Sequence, residues 1–278
     1  MKLAVMLMSF EQELKSNEMT VFDVIDCCVE LGLHGIEFSN REIAQIPEQQ
    51  LRSHLEQAGL ELAMYIIITD FVSLNQDVLA QTVSEVNREI DKGHRLGARQ
   101  VLLVPGNPKP GILDEEGREA IARGLQDCAS YGKMRGIKVT NENFGAHATF
   151  RGRIEQMEEF LRKAPDSWFT YDDGNFLLAG QDPLNALECL SSRMVHVHLK
   201  DWIIVDDPLV GVFPMAHRPG YFYKEAIVGE GVVPTTEIVA ALKKMEFPGF
   251  LSIEHGGTIP GKEGLARAVA YLRPLMGS

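Results

Sequence analysis

Acidic and imidazole side chains stand at the ends of four apolar segments in the second half of the chain. They are Glu142 in TNENFG, Asp172 in YDDGN, His198 in HVHLKD and Glu254 in LSIEHGG. Three carboxylates and one imidazole form a mostly oxygen ligand set, which suits Mn²⁺, Mg²⁺ or Co²⁺ and which Zn²⁺ also accepts. Without a cation, massed carboxylates would repel one another and hold protons. The residue types therefore predict a divalent metal site, with Mn²⁺ as the preferred ion.

The stretch HVHLKD carries three further polar side chains beside His198. In a strand His196 and His198 lie on one face, with His196 one layer deeper. His196 is interpreted as a core histidine bonded to a neighbour, with support of a metal ligand as the alternative. Lys200 is a candidate for binding a substrate oxygen, and a salt bridge with Asp201 is the competing interpretation.

Other polar side chains are candidates for contact with a substrate. Asn175 follows Asp172 closely and is interpreted as a substrate contact or, alternatively, as a turn residue. Glu37 alternates with two apolar neighbours, so it should face inward, either lining the pocket and supporting the site or serving as a buried structural acid. Arg218 lies beside His217 on a long connection and is a candidate anchor for a substrate carboxylate or phosphate, with a solvated arginine as the alternative.

The elements that must position these residues alternate along the whole chain. Repeated strand-helix units imply a parallel sheet with right-handed crossovers, and eight of them imply a closed (β/α)8 barrel, a TIM barrel, with its active site at the carboxyl ends of the strands. An open doubly wound sheet competes, but no GxGxxG follows the first strand. The predicted strands are 3–8, 34–38, 61–68, 99–104, 136–142, 167–172, 193–199 and 249–254, and the predicted helices are 20–33, 47–58, 75–96, 114–135, 154–163, 183–190, 234–245 and 262–275.

No linker rich in Pro, Gly or Ser divides the sequence, so residues 1–278 are expected to form one domain. The stretch 202–233 is predicted to be irregular, and loops of that length are usually functional or mobile.

The composition indicates which classes of binding partner to expect. The 278 residues carry 39 acidic against 27 basic side chains, a net charge of -12, which disfavours binding to nucleic acid. No apolar stretch is long enough for a membrane span, and the N-terminal residues do not resemble a secretory signal. The four cysteines form no CxxC motif, which favours free thiols in a reducing compartment. We therefore expect a cytoplasmic protein acting on a small molecule. A homo-oligomer is compatible with such barrels, although no sequence patch marks an interface.

The strand ends resemble those of the sugar phosphate isomerase/epimerase superfamily, the xylose-isomerase-like TIM barrels. The matching motifs are Glu142-Asn143, Asp172 to Asn175, His198 to Asp201, Gly229 to Gly231 and the final Glu254. The resemblance implies that Glu142, Asp172, His198 and Glu254 bind the metal. It also implies that Glu142 and Glu254 are catalytic, flanking the substrate carbon so that one takes a proton and the other returns it from the opposite face.

The expected activity is isomerisation or epimerisation of a sugar or sugar phosphate. A metal-chelated carbonyl would make the neighbouring proton labile through an enediolate. The alternative is a metal-dependent dehydratase of a cyclic polyol ketone, of the inosose or 3-dehydroshikimate type. Phe144 and Asn175 stand where many ketose epimerases of the family carry histidine. A DNA endonuclease on this barrel would need more imidazoles, and a non-catalytic binding barrel would leave the two glutamates idle.

Overall fold

Eight parallel strands close into a barrel in the computed structural model, which describes residues 1–207, 211–215, 218–256 and 260–277. The strands follow one another around the barrel in chain order, and the last one pairs with both the seventh and the first. The (β/α)8 fold predicted from the sequence is thereby confirmed. The barrel strands are β1 (Lys2–Met6), β2 (Gly35–Ser39), β3 (Glu61–Ile68), β4 (Gln100–Val104), β5 (Lys138–Glu142), β6 (Trp168–Asp172), β7 (Met194–Leu199) and β11 (Phe250–Ile253).

Helices connect the strands, and the eight predicted ones agree with the structure to within a few residues at each end. Two short helices, Glu11–Ser16 and Asp173–Leu178, were not predicted. None of the helices in the described residues is long and apolar enough to span a bilayer. The helices are α1 (Glu11–Ser16), α2 (Val21–Glu30), α3 (Glu48–Ala58), α4 (Gln76–Arg95), α5 (Asp114–Lys133), α6 (Ile154–Lys163), α7 (Asp173–Leu178), α8 (Pro183–Leu190), α9 (Thr235–Lys244) and α10 (Gly261–Met276).

The inside of the barrel contains both an apolar cluster and buried polar side chains. Met6, Met64, Ile66 and Leu102, from β1, β3 and β4, form a small buried cluster separate from the main core between strands and helices. The interior also carries buried polar side chains, among them Thr140 and Thr170, whose hydroxyls lie 2.8 Å apart. Buried polar side chains therefore lie mainly on β5, β6 and β7, and Glu37 joins them from β2, which lies between β1 and β3.

The prediction that residues 202–233 are irregular is wrong in part, because this stretch contains most of a small antiparallel sheet. The strands β8 (Asp201–Val205), β9 (Val212–Pro214) and β10 (Phe222–Ala226) pair in the order β8-β10-β9. These strands have only 5, 3 and 5 residues, so alternation within each gives a weak signal. The sheet stands directly after β7, at the end of the barrel where the predicted site residues lie.

Asp201 fastens this sheet to the chain that follows it. Its buried carboxylate accepts hydrogen bonds from the backbone N–H groups of Trp202 (2.8 Å), Gly229 (3.0 Å), Gly231 (2.8 Å) and Val233 (3.0 Å). A side chain at Gly231 would overlap the Asp201 carboxylate and the Trp202 carbonyl. The two glycines of the predicted Gly-x-Gly motif are thus held by Asp201.

We expect Asp201→Asn to lower the free energy of unfolding by about 3 kcal/mol, because the amide NH₂ would face backbone N–H donors that now bond a carboxylate. Urea unfolding followed by circular dichroism measures the change. Asp207→Asn, at an exposed position near the end of β8, is the matched control and should change stability by less than about 0.5 kcal/mol. Equal stabilities for the two variants would contradict this role of Asp201.

Candidate metal centre

The structure brings the four predicted ligands together at the carboxyl end of the barrel. Glu142 and Asp172 are the last residues of β5 and β6, His198 is near the end of β7, and Glu254 follows β11. One potential ligand atom from each lies within 4.8 Å of all the others. The strand register explains this convergence, because Asp172 pairs with His198, and the Glu254 N–H bonds the Leu199 carbonyl at 3.0 Å.

His198 is held from both sides of its ring. Nδ1 lies 2.5 Å from Glu142 Oε1 and 3.8 Å from Glu254 Oε2, whereas Nε2 lies 3.1 Å from Glu37 Oε2. Burial alone would lower the pKa of His198, but the charges of Glu37 and Glu142 outweigh it and raise the pKa well above its usual range. If Nε2 donates to Glu37, Nδ1 is the nitrogen that faces the cluster and is available as a ligand.

Glu37 lies below the cluster, inside the barrel. Its two oxygens are taken by the imidazoles of His196 (2.7 Å) and His198 (3.1 Å), and its side chain is 0% exposed. Burial would raise the pKa of Glu37, but the two imidazoles lower it well below its usual range. This placement differs from the predicted contact with substrate, since both oxygens are already committed. Of the predicted alternatives, the geometry agrees with support of the site.

The chain of contacts continues down through His196. Its Nδ1 lies 2.8 Å from Gln100 Nε2, which also donates to the Ala63 carbonyl at 3.0 Å. His196 is fully buried, as expected for a core histidine, and it also contacts the acid that supports His198. Both interpretations made from the sequence therefore describe part of its environment.

Asn175 holds Asp172 in place. The Asn175 backbone N–H donates to Asp172 Oδ1 at 2.7 Å, and its side-chain amide donates to Oδ2 at 2.6 Å, because Asp172 caps the N-terminus of α7. Asn143 adds a bond to the Asp172 backbone carbonyl at 2.9 Å. Burial, followed by the charges of Glu254 and Glu142 and partly opposed by Lys200, raises the pKa of Asp172 well above its usual range. Asn175 thus contacts a predicted ligand, and it lies in a helix and not in a turn.

Lys200 forms an ion pair with Glu254, and its ammonium lies 3.9 Å from Glu225 on β10. Burial would lower the pKa of Lys200, but the charges of Glu254, Asp172 and Glu225 raise it above its usual range. The alternative prediction, a salt bridge between Lys200 and Asp201, is wrong, because the Asp201 oxygens accept hydrogen bonds from backbone N–H groups instead. Lys200 therefore places a positive charge beside the cluster.

Arg218 is not brought to the cluster by any described contact. Its side chain is exposed, and its guanidinium lies 3.5 Å from the centre of the Tyr221 ring. Its neighbour His217 lies outside the described residues. The structure gives Arg218 the surroundings of a solvated arginine.

Sequence reasoning missed two charged residues beside the cluster. Glu225 lies in the stretch predicted to be irregular, and burial raises its pKa. Arg151 lies between β5 and α6 and is buried. Burial lowers its pKa, and the negative charge of Glu142 partly offsets that shift. A basic residue soon after a candidate ligand could have flagged Arg151, but nothing in the sequence indicates that it is buried.

The donor set fits a divalent cation. Three carboxylates and one imidazole converge, and burial of Asp172 beside two acids disfavours its ionised form. A dication would relieve this repulsion. Glu142 and Glu254 keep side-chain exposures of 13% and 8%, so the cluster faces the open end of the barrel.

Comparison with known proteins gives one family. The model of the xylose isomerase-like TIM barrel family matches residues 25–275. An inosose dehydratase of Bacillus thuringiensis (strain Al Hakam) is 25% identical over 250 residues, covering 82% of this chain and 80% of the relative. Among solved structures, the IOLI protein with a bound zinc atom has a TM-score of 0.80 at 15% identity, covering 99% of this chain and 98% of that one. D-psicose 3-epimerase of Clostridium cellulolyticum H10 has a TM-score of 0.77 at 14% identity, covering 100% of both chains.

We expect Glu37→Gln to weaken Mn²⁺ binding about 10- to 100-fold, because an amide cannot replace a carboxylate that accepts from both imidazoles. Calorimetric titration of the metal-free protein with Mn²⁺ measures the change. Glu61→Gln, a partly exposed acid at the start of β3, is the matched control and should bind Mn²⁺ like the unchanged protein. Unchanged affinity in Glu37→Gln would contradict the supporting role of Glu37.

We expect Mn²⁺ binding to release at least one proton near neutral pH, so that the apparent affinity rises with pH. The raised pKa values of His198 and Asp172 leave these groups holding protons in the metal-free protein, and a ligand must lose its proton to bind. Titrations in buffers of different ionisation enthalpy measure the release. An observed heat that is the same in every buffer would exclude this protonated starting state.

Proposed function

The chain belongs to the xylose isomerase-like TIM barrel family, and on that premise we propose that it is a divalent-metal-dependent isomerase or epimerase of a sugar or sugar phosphate. The observation that carries the proposal is the position of Glu142 and Glu254. Both belong to the four-residue cluster, they come from strand ends separated by β6 and β7, and both keep some exposure. Two carboxylates that reach one point from two sides suit the removal and return of a proton.

The residues that would hold the metal are Glu142, Asp172, His198 and Glu254, and their oxygen-rich set favours Mn²⁺ over Zn²⁺. A bound dication would polarise the substrate carbonyl and stabilise the negative charge of the enediolate. The zinc of the IOLI structure belongs to that protein, and it shows that a related barrel accepts a divalent ion.

Residues of the chain itself have separate roles in the proposed reaction. Glu142 accepts the proton from the carbon next to the carbonyl, while Lys200 holds Glu254 in place and donates a hydrogen bond to a substrate oxygen. If Glu254 takes a proton from the Lys200 ammonium and gives it to the opposite face, that carbon inverts. If Glu142 gives the abstracted proton to the neighbouring carbon instead, ketose is exchanged for aldose. Asn175 and Glu37 act through Asp172 and His198, since each contacts a ligand.

We also propose a cytoplasmic location. The four cysteines are free, and Cys27, Cys28 and Cys128 are buried thiols. Unpaired cysteines are typical of a reducing compartment.

The net charge of -12 supports a small-molecule substrate and not a nucleic acid.

Dehydration of a cyclic polyol ketone is the second candidate, and the ion pair of Lys200 with Glu254 favours it. That pair leaves Glu142 as the freer base and supplies an ammonium beside the site. Glu142 would take the proton from the carbon next to the carbonyl, and the hydroxyl on the following carbon would leave as water with a proton from Lys200. The similarity to inosose dehydratases over 82% of the chain gives this candidate further support.

Proton transfer can be followed by NMR in D₂O, using Mn²⁺-loaded protein with a panel of ketoses and an inosose. We expect deuterium to enter at the carbon next to the carbonyl, and Glu142→Gln and Glu254→Gln to slow this exchange at least about 100-fold. Bound Mn²⁺ is measured for each variant so that loss of metal is distinguished from loss of the base. Glu61→Gln is the matched control and should exchange at the normal rate.

The products separate the two candidates. A new epimer or aldose supports the first, and an unsaturated ketone formed with loss of water supports the second. Absence of exchange into every ketone, with Mn²⁺ bound, would contradict both.

A further inference from the structure

Arg151 is a buried cation in the connection between β5 and α6. It lies in a single turn of π-helix, Ala148–Gly152, where its backbone leaves helical geometry at φ -155° and ψ 29°. The side chain is 2% exposed, and its guanidinium lies 4.4 Å from the centre of the Phe144 ring. The Phe144 N–H also donates to the Arg151 carbonyl at 2.9 Å. The connection therefore folds back on itself and fixes this arginine.

Its guanidinium contacts the Phe144 ring but forms no ion pair with a carboxylate among the described residues. Nε is fully buried without an acceptor. Several other arginines bond an acid instead: Arg95 with Glu48, Arg118 with Glu159, Arg135 with Asp91, and Arg267 with Glu230. A buried charge without an ion pair is costly, which makes an external anion a candidate partner for Arg151.

Arg151 also lies within electrostatic reach of the candidate metal centre. Burial lowers its pKa to about 10, and the charge of Glu142 opposes that shift, so the guanidinium stays charged at neutral pH. Its charge adds to the effect of burial in lowering the pKa of the nearby His147. Among the described ion pairs none joins Arg151 to Glu142, whose Oε1 lies 2.5 Å from His198 Nδ1.

We propose that Arg151 binds an oxyanion carried by the substrate, a carboxylate or a phosphate, and that it thereby selects anionic ketones over neutral ones. The proposal rests on the proposed function, since it names the substrate class of that same site. A guanidinium presents several N–H donors in one plane, which suits both oxyanions. The sequence predicted this role for Arg218, but that side chain is exposed, and its guanidinium lies over the Tyr221 ring.

Binding to the metal-free protein tests Arg151 without any turnover. Calorimetric titrations with cyclohexanecarboxylate and with inorganic phosphate identify which oxyanion binds, and cyclohexylmethanol serves as the neutral probe. We expect Arg151→Met to weaken binding of one or both anions about 10- to 100-fold, Arg151→Lys to retain part of it, and binding of the alcohol to stay unchanged. Arg218→Met is the matched control and should bind the anions normally. Thermal melting checks that each variant is folded.

Turnover then tests selectivity with matched substrates. The pairs are 3-dehydroshikimate against an inosose, and a ketose phosphate against the free ketose. We expect Arg151→Met to lower kcat/KM about 10- to 100-fold for the anionic member of one pair, and by less than about 3-fold for the neutral member. Loss confined to the carboxylate or to the phosphate identifies the group that Arg151 binds.

Two results would overturn the proposal: equal losses for neutral and anionic substrates, or anion binding by Arg151→Met that matches the unchanged protein. Absence of anion binding by the unchanged protein would overturn it as well. If no ketone turns over at all, the proposed function fails, and the calorimetric result still decides whether Arg151 binds an oxyanion.

Discussion

Mutual repulsion among buried acids is the constraint around which this end of the barrel is organised. Three carboxylates converge on His198, and the surrounding residues each offset part of the cost. Asn175 satisfies both oxygens of Asp172, Lys200 pairs with Glu254, and Glu37 supports the far side of His198. These contacts reduce the repulsion without removing it, since the pKa of Asp172 stays raised. The arrangement is thus prepared for positive charge.

The uneven lining of the barrel follows from the same constraint. A polar cluster needs hydrogen-bond partners in the layer beneath it, and β2, β5, β6 and β7 provide them through Glu37, Thr140, Thr170 and His196. Met6, Met64, Ile66 and Leu102 of β1, β3 and β4 fill another part of the interior, although Glu37 on β2 lies between β1 and β3 and Gln100 on β4 bonds His196. The barrel therefore packs apolar side chains beside the ionisable groups that it buries.

Most of the fold was predictable, because the strands and helices of a (β/α)8 barrel carry strong local patterns. The four clustered residues were predictable for the same reason, since the ends of parallel strands must meet. Other features depend on contacts that no local sequence pattern reveals. The partner of Lys200 is Glu254 and not the adjacent Asp201, because backbone N–H groups already surround Asp201. The small sheet of β8, β9 and β10 forms through antiparallel pairing that no single strand reveals. Arg151 is buried because its loop folds back on Phe144, and this contact is visible only in the folded structure.

The position of Glu254 has a consequence for the order of folding. It follows β11, the barrel strand latest in the chain, and β11 is held between β7 and β1. Its partners in the cluster lie on β5, β6 and β7, so Glu254 reaches them once β11 has paired with β7, whether or not β11 has met β1. An ion that uses all four donors therefore needs only the second half of the barrel in place. The meeting of β11 with β1, which joins the two ends of the chain, is a separate step that depends on packing and not on the ion.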